Sequence, residues 1–287
     1  MDLEYYEPQT LAEAMSLLDC YGTEALAIAG GTDVIPSMRS GELVPSHLVG
    51  IHKLRELTGL RETPEGGLWV GASTTFTTLL RSLDIHRRYP LLAEMARSMG
   101  TPQVRNVATL GGNLCNASPC ADSAPVLLCL DAVAWTEGPN GSRKVPLVSF
   151  FTGPGSTILV RGEILVGVEL PPPAVGTAGS YMKVGRNLGV DLAVVSLAIA
   201  GCQSEKNPSR HCLHIALGAV APTPIRANVA ESILAEEVDE NAIRAAISAT
   251  VEAISPISDL RGTAEYRTLV VANIAGRAIR HVLSLIP

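Results

Sequence analysis

Two pairs of adjacent glycines are the residues of this 287-residue chain whose types and spacing most suggest chemistry. The first lies in Ala29-Gly30-Gly31-Thr32-Asp33, directly after an apolar run, where a turn without Cβ atoms lets successive backbone N–H groups converge on an anion. The second, Thr109-Leu110-Gly111-Gly112-Asn113, is flanked by a hydroxyl and an amide able to bond phosphate or sugar oxygens. One such loop could equally be a tight turn between elements; two in one chain point to a dinucleotide-sized ligand. Neither contains Lys or Arg, so a diphosphate there is held by amide dipoles rather than by paired cations. No Gly-Lys-Ser or Gly-Lys-Thr follows either pair, no third glycine opens a long helix, and Pro36 interrupts the first, which disfavours ATP and NAD.

Other chemistries find less support. Cys115 and Cys120 lack zinc-ribbon spacing and have no histidine near them in sequence, so they read as small buried thiols. His211 and His214 are three apart on an expected strand, which places them on opposite faces, and no metal site is expected. Asp122, just before the apolar run Ala124 to Leu130, could cap a helix or bind a ligand. No nucleophile elbow, zincin helix or paired-carboxylate signature is present, and no catalytic acid–base residue is assigned.

The elements that must position these loops follow from periodicity. Thr10 to Glu13 has capping-box spacing, and Leu11, Ala14, Leu17 and Leu18 recur at helical intervals until Gly22. Ala25 to Ala29, Ser46 to Ile51 and Leu68 to Ala72 read as short buried strands, and Leu91 to Met99 as a helix stopped by Gly100 and Pro102. Ala132 to Glu137 and Ser142 to Leu147 flank a Gly-Pro-Asn-Gly hairpin turn, and Ile164 to Leu170 is a strand ended by Pro171-Pro172-Pro173. A domain boundary is expected there. Beyond it Tyr181 to Gly185, Ala193 to Ala200 and His211 to Val220 predict a three-stranded antiparallel sheet, covered by helices at Ala227 to Ala235, Glu240 to Ile254 and Thr263 to Leu285. The fold class is α+β.

Composition sets the outer bounds. Hydrophobic residues are 47% and charged residues 17%, a balance that excludes a disordered chain. The net charge of −6, with no basic block, argues against nucleic acid. The longest apolar stretch, Leu192 to Cys202, is too short to span a membrane, and the acidic, polar N-terminus carries no export signal. Six scattered cysteines then imply thiols in a reducing cytoplasm.

The two glycine loops, with Cys115-Asn116-Ala117-Ser118-Pro119-Cys120-Ala121-Asp122, Tyr181 to Arg186 with Asp191-Leu192-Ala193, and Asp259 to Arg267, resemble the FAD-binding subunits and domains of the molybdenum hydroxylases, a family that includes carbon monoxide dehydrogenase and xanthine dehydrogenase. The likeness covers nearly the whole chain. It implies a PCMH-type, vanillyl-alcohol-oxidase-like FAD domain over residues 1–173 and a small flavoprotein C-terminal domain over 179–285. It implies that Ile28, Ala29, Gly30, Gly31, Thr32, Asp33 and Val34, with Thr109, Leu110, Gly111, Gly112 and Asn113, wrap the pyrophosphate and ribityl chain. Asn116 and Asp122 would bond ribityl or ribose hydroxyls, and Leu165 and Lys183 would lie at the flavin. The implied cofactor is noncovalent FAD, since no histidine stands between Ala29 and Met38 to attach it. The implied partners are a molybdopterin-bearing large subunit, a small subunit with 2Fe-2S clusters and an external electron acceptor. Phe150, Phe151 and Tyr266 could face those subunits or belong to the core. A stand-alone flavin oxidase or reductase and a cofactor-free assembly subunit are the rival readings.

Overall fold

The structure is a computed structural model and describes residues 3–187, 191–203 and 211–286. Thr10 caps the first helix by accepting from the Glu13 amide at 3.2 Å, and Gly22, at φ +55°, ends it. That helix, α1 (Leu11–Tyr21), lies between β1 (Glu4–Tyr6) and β2 (Ala25–Ile28); α2 (Val34–Ser40) and β3 (His47–Gly50) follow. The three strands form a parallel sheet in the order β1-β3-β2. β3, in the middle, is buried from Leu48 to Gly50, whereas β2 is half-buried along its whole length because it forms the edge. Its apolar composition reads as an interior strand; its position in the sheet does not.

The second sheet is antiparallel. It begins with β4 (Leu60–Glu62) and β5 (Leu68–Gly71), after which the chain runs through α3 (Phe76–Arg81), α4 (Leu83–Arg88), α5 (Pro90–Ser98), α6 (Pro102–Val107), α7 (Leu110–Cys115) and α8 (Ser123–Cys129). Then come β6 (Val133–Gly138), β7 (Gly141–Pro146), the short pair β8 (Phe151–Gly153) and β9 (Ser156–Thr157), and β10 (Ile164–Leu170). Sheet order is β4-β5-β10-β6-β7, with β6 and β7 joined by the expected hairpin. Gly100 and Pro102 end α5 as the sequence predicts, but Pro102 also starts the next helix. Its fixed φ suits the first helical position, and Thr101 accepts from the Val104 amide at 3.2 Å. A stretch that reads as loop therefore carries α6 and α7.

After the triproline come β11 (Ala178–Val184), β12 (Val195–Gln203), β13 (His211–Gly218) and β14 (Ile225–Arg226), then α9 (Asn228–Glu236), α10 (Glu240–Glu252) and α11 (Ala264–Leu285). The sheet has four strands, not three: Ala216 and Leu217 pair with Arg226 and Ile225, a dipeptide too short to show a period. Strand alternation gives this sheet two destinations. Leu197, Ile199, Leu213 and Ile215 face the C-terminal helices, while Ala198, Ala200 and Ala216 join the core formed by α3, α5 and α8. The small alanines let α8 pack closely, so the sheet is covered on both sides. Phe150 is fully buried, Phe151 meets it edge-on with centroids 5.4 Å apart, and Tyr266 stays about half exposed. Among the described residues no helix is long and apolar enough to cross a membrane.

Candidate functional site

The two glycine loops meet. A Cβ built on Gly30 would overlap the Val107 carbonyl oxygen and come within 3.0 Å of the Ala108 Cα, so only glycine lets the end of β2 pass beneath the start of the second loop. Gly31 takes φ +68°, the left-handed region, and turns the chain into α2. Ile35 N–H donates to the Gly31 carbonyl at 3.0 Å, which leaves the amides of Thr32, Asp33 and Val34 ahead of the helical ladder. Asp33 occupies the cap position but gives no side-chain cap bond, and burial raises its carboxyl above the ordinary value. This stretch retains backbone donors with nothing local to satisfy them.

The second loop is built differently from the amide nest that its sequence suggests. Leu110 N–H donates to the Thr74 carbonyl (3.0 Å), Gly111 N–H to Ala72 (2.8 Å), Gly112 N–H to the Thr109 hydroxyl (3.0 Å) and Asn113 N–H to the Thr109 carbonyl (3.0 Å). Every amide from 110 to 113 is thus consumed: the segment is the capped first turn of α7. Gly111 is required by Ala72, whose Cβ and carbonyl oxygen would lie 2.5 and 2.8 Å from an added Cβ. Gly112 has no such neighbour, only the Thr109 hydroxyl at 2.8 Å, and is exposed. Asn113 is half-buried and Asn116 exposed, so residues 112, 113 and 116 present one outward face of α7. The Asn113 side-chain oxygen accepts from the Ser123 hydroxyl at 2.6 Å, which fixes its orientation.

Asp122 precedes α8 but does not cap it. Its carboxylate instead crosses to the C-terminal lobe, where Tyr181 donates its phenolic hydrogen at 2.7 Å and Lys183 its ammonium at 2.6 Å. Burial pushes the Asp122 carboxyl up while both donors pull it back; burial and the Asp122 charge together raise the Tyr181 phenol. Tyr181 and Lys183 stand two apart on β11, on one face, a signal present in Tyr-Met-Lys that sequence reading used only for Lys183. The same lobe also grips the preceding residues. Ala219 N–H donates to the Pro119 carbonyl at 2.7 Å, and the Arg261 guanidinium lies 3.3 Å from Cys120 Sγ. Asp259 accepts from Arg261 and from Arg267, whose fully buried guanidinium also holds the Val194 and Ala219 carbonyls.

Leu165 is kept from the surface and apart from both glycine loops in sequence. It is 3% exposed in the core, beside a bulge between Leu165 and Gly167. Ile28 and Ala29 lie at the end of β2, Leu110 is buried beneath α7, and Cys115 carries a thiol that burial lifts to about 12.

Comparison with known proteins gives this arrangement a family. Residues 1–173 match the model of the FAD binding domain in molybdopterin dehydrogenase, and residues 180–282 match that of the CO dehydrogenase flavoprotein C-terminal domain. The chain belongs to this molybdopterin-dehydrogenase flavoprotein family. It is 36% identical over 278 residues to the carbon monoxide dehydrogenase medium chain of Hydrogenophaga pseudoflava, covering 96% of this chain and 95% of that one. It is 34% identical to the xanthine dehydrogenase FAD-binding subunit of Escherichia coli O157:H7, covering 98% and 96%. Among solved structures, a chain of the Hydrogenophaga pseudoflava carbon monoxide dehydrogenase superposes with a TM-score of 0.94 at 34% identity, covering 99% of this chain and 98% of that chain.

Proposed function

We propose that this chain binds FAD noncovalently where its two glycine loops meet and serves as the electron-exit subunit of a heteromeric molybdenum hydroxylase. The observation that carries the reading is the joint itself: Gly30 packs against the Val107 carbonyl and Ala108, which brings the open amides after Gly31 to the segment that leads into α7 and its exposed, Cβ-free Gly112, with no cation in either loop. Such a cradle suits a diphosphate held by dipoles. When bound, FAD would supply the means to collect electrons singly from a partner's 2Fe-2S clusters and release them to an external acceptor.

Each residue has a part in that seat. Ile28 and Ala29 deliver the strand end, Gly30 and Gly31 shape the turn, and the backbone of Thr32, Asp33 and Val34 faces the pyrophosphate. Thr109, Leu110 and Gly111 hold α7 rigid, Gly112 leaves room, and the side chains of Asn113 and Asn116 bond sugar or ribityl hydroxyls. Asp122 acts by holding Lys183, so that the ammonium reaches the flavin region from the C-terminal lobe. Leu165 supports the floor beneath α7 through packing.

Oxidation of the substrate belongs to a large subunit carrying molybdopterin, and the 2Fe-2S clusters to a small one. Relatives named for carbon monoxide and for xanthine match this chain over almost its full length, which supports placing substrate choice outside it. A row of exposed apolar residues around the start of α11, Ile257, Leu260, Tyr266 and Leu269, fits a subunit contact. Six scattered thiols agree with a cytoplasmic setting.

The test is the visible spectrum of the purified chain, alone and with its partners, after removal of free cofactor. Retained flavin that denaturation releases as FAD is the expected result. Gly112→Val, which fills the outward face of α7, is expected to abolish retention and leave the melting temperature within a few degrees of the parent. Normal FAD content in that variant sinks the proposed seat.

A further inference from the structure

Three cysteines and a histidine line a cavity of about 170 Å³ that no glycine-loop residue lines, bounded by Tyr89 to Leu91 and Pro171 to Pro173 and by β12 and β13. Two of the cysteines, Cys202 and Cys212, are directly opposed in the antiparallel register. Directly opposed residues share a face with Cα atoms about 4.5–5.5 Å apart, inside the range of about 4.4–6.8 Å that a disulfide needs. Both are thiols in the structure, Cys212 exposed and Cys202 half-buried.

Cys212 has a base beside it. His214, two residues on and therefore on the same face, places Nε2 3.7 Å from Cys212 Sγ. Its Nδ1 lies 2.9 Å from the Cys129 carbonyl oxygen and 3.3 Å from Asp131 Oδ2. Both of those atoms can only accept, so Nδ1 carries the ring proton and Nε2 is left as an acceptor aimed at the thiol. Thiol, imidazole and carboxylate thus form a relay, with a second thiol opposite. Burial, with the charges of Asp131 and Glu231, raises the Cys212 thiol above its ordinary value, and Arg226 works against them. The resting group is a thiol, and its proton has to go to His214 when it reacts.

We propose that Cys212, Cys202, His214 and Asp131 form a peroxide-responsive dithiol site whose product is a cross-strand disulfide. In the first step the Cys212 proton passes to His214 Nε2, the sulfur attacks hydrogen peroxide, and the O–O bond breaks. Cys212 becomes a sulfenic acid, and the leaving hydroxide takes the proton from His214 to give water. In the second step Cys202 sulfur attacks the sulfenic sulfur, the S–S bond forms, and the sulfenic oxygen leaves as water with the Cys202 proton. Two thiols lose two electrons and one peroxide becomes two waters. None of these four residues belongs to the FAD seat, so the inference stands or falls independently of it.

The experiment exposes the purified full chain, and the complex isolated with its partners, to hydrogen peroxide and maps each cysteine by alkylation and mass spectrometry. Exposed Cys20 serves as the internal reference. The expected result is a Cys202–Cys212 linkage two hydrogens lighter than the thiol pair, reversed by dithiothreitol, with Cys212 oxidised at least about tenfold faster than Cys20. Cys202→Ser is expected to leave a dimedone-reactive sulfenic acid on Cys212. His214→Gln is expected to slow Cys212 oxidation about tenfold without changing the linkage that finally forms. Equal rates at Cys212 and Cys20 in the parent chain overturn the proposal, and so does over-oxidation of Cys212 with Cys202 still a thiol. Both outcomes are read in the parent, so a variant that fails to fold leaves the test intact.

Discussion

Around Gly30 and Gly31 the chain leaves an edge strand with amides that no neighbour satisfies, whereas around Gly111 and Gly112 the amides from 110 to 113 all donate within the fold. Two motifs of similar composition therefore do different work. The first offers donors, and the second offers a rigid, uncluttered surface fixed by the Thr109 cap and the Ala72 contact. A glycine pair marks a place where side chains are excluded; the hydrogen-bond partners on either side decide whether backbone or ligand fills the space.

The joint between the loops is where that contrast breaks most readily. Gly30→Val places a side chain against the Val107 carbonyl, and the expected outcome is a loss of about 4 kcal/mol or more, with FAD retention lost as well. A parent-like melting curve for that variant contradicts the close approach. Next in size is the clasp between lobes. Lys183→Met leaves Asp122 buried opposite a single phenol, at a cost of about 3–5 kcal/mol read from the urea midpoint. Adding Asp122→Asn in the same chain is expected to recover most of this, which separates the unpaired charge from lost packing.

Thr109→Ala sharpens the second half of the comparison. It removes the cap and frees the Gly112 amide, for about 1 kcal/mol. If the second loop were an amide nest, freeing an amide would strengthen FAD binding; as a structural cap, its loss weakens binding along with stability. Equilibrium dialysis of FAD against both proteins distinguishes the two.

A control lies outside both loops. Glu163 is buried, which raises its carboxyl, but Arg143, Thr136 and the Val160 amide outweigh this and hold it at about 2. Because the folded value is depressed, its contribution is complete above the unfolded value of about 4.3 and fades as the pH falls toward 2. Glu163→Gln is expected to flatten the acid limb of the stability profile between those values and to leave FAD retention unchanged. A steeper acid limb in the variant contradicts the assignment.

Legibility varied along the chain for physical reasons. The helix opened by Thr10, the Gly138–Gly141 hairpin and the β10 strand ended by three prolines follow from caps, turns and period, all of which act within a few residues. The helix begun by Pro102 was hidden because proline both stops one helix and starts another. β14 escaped because two residues have no period, and the half-burial of β2 depends on which neighbour it lacks. Within the site, glycine spacing located both loops, but the capped state of the second depends on Thr74 and Ala72, which approach from other elements. Asp122 showed the same limit. Its side chain has the type and place of a helix cap, and 59 and 61 residues later Tyr181 and Lys183 claim it.

What the sequence determined by itself is the set of local commitments: where glycine must stand, where helices start, which strand faces are apolar, and a family likeness spread across nearly the whole length. Tertiary structure alone decided which donors remain open, which carboxylate pairs with which cation, and that Cys202 and Cys212 face each other beside His214. The reason is one of range. Propensity and capping act over a few bonds of backbone, whereas hydrogen-bond satisfaction and charge pairing are settled only when distant segments compete for the same buried atoms.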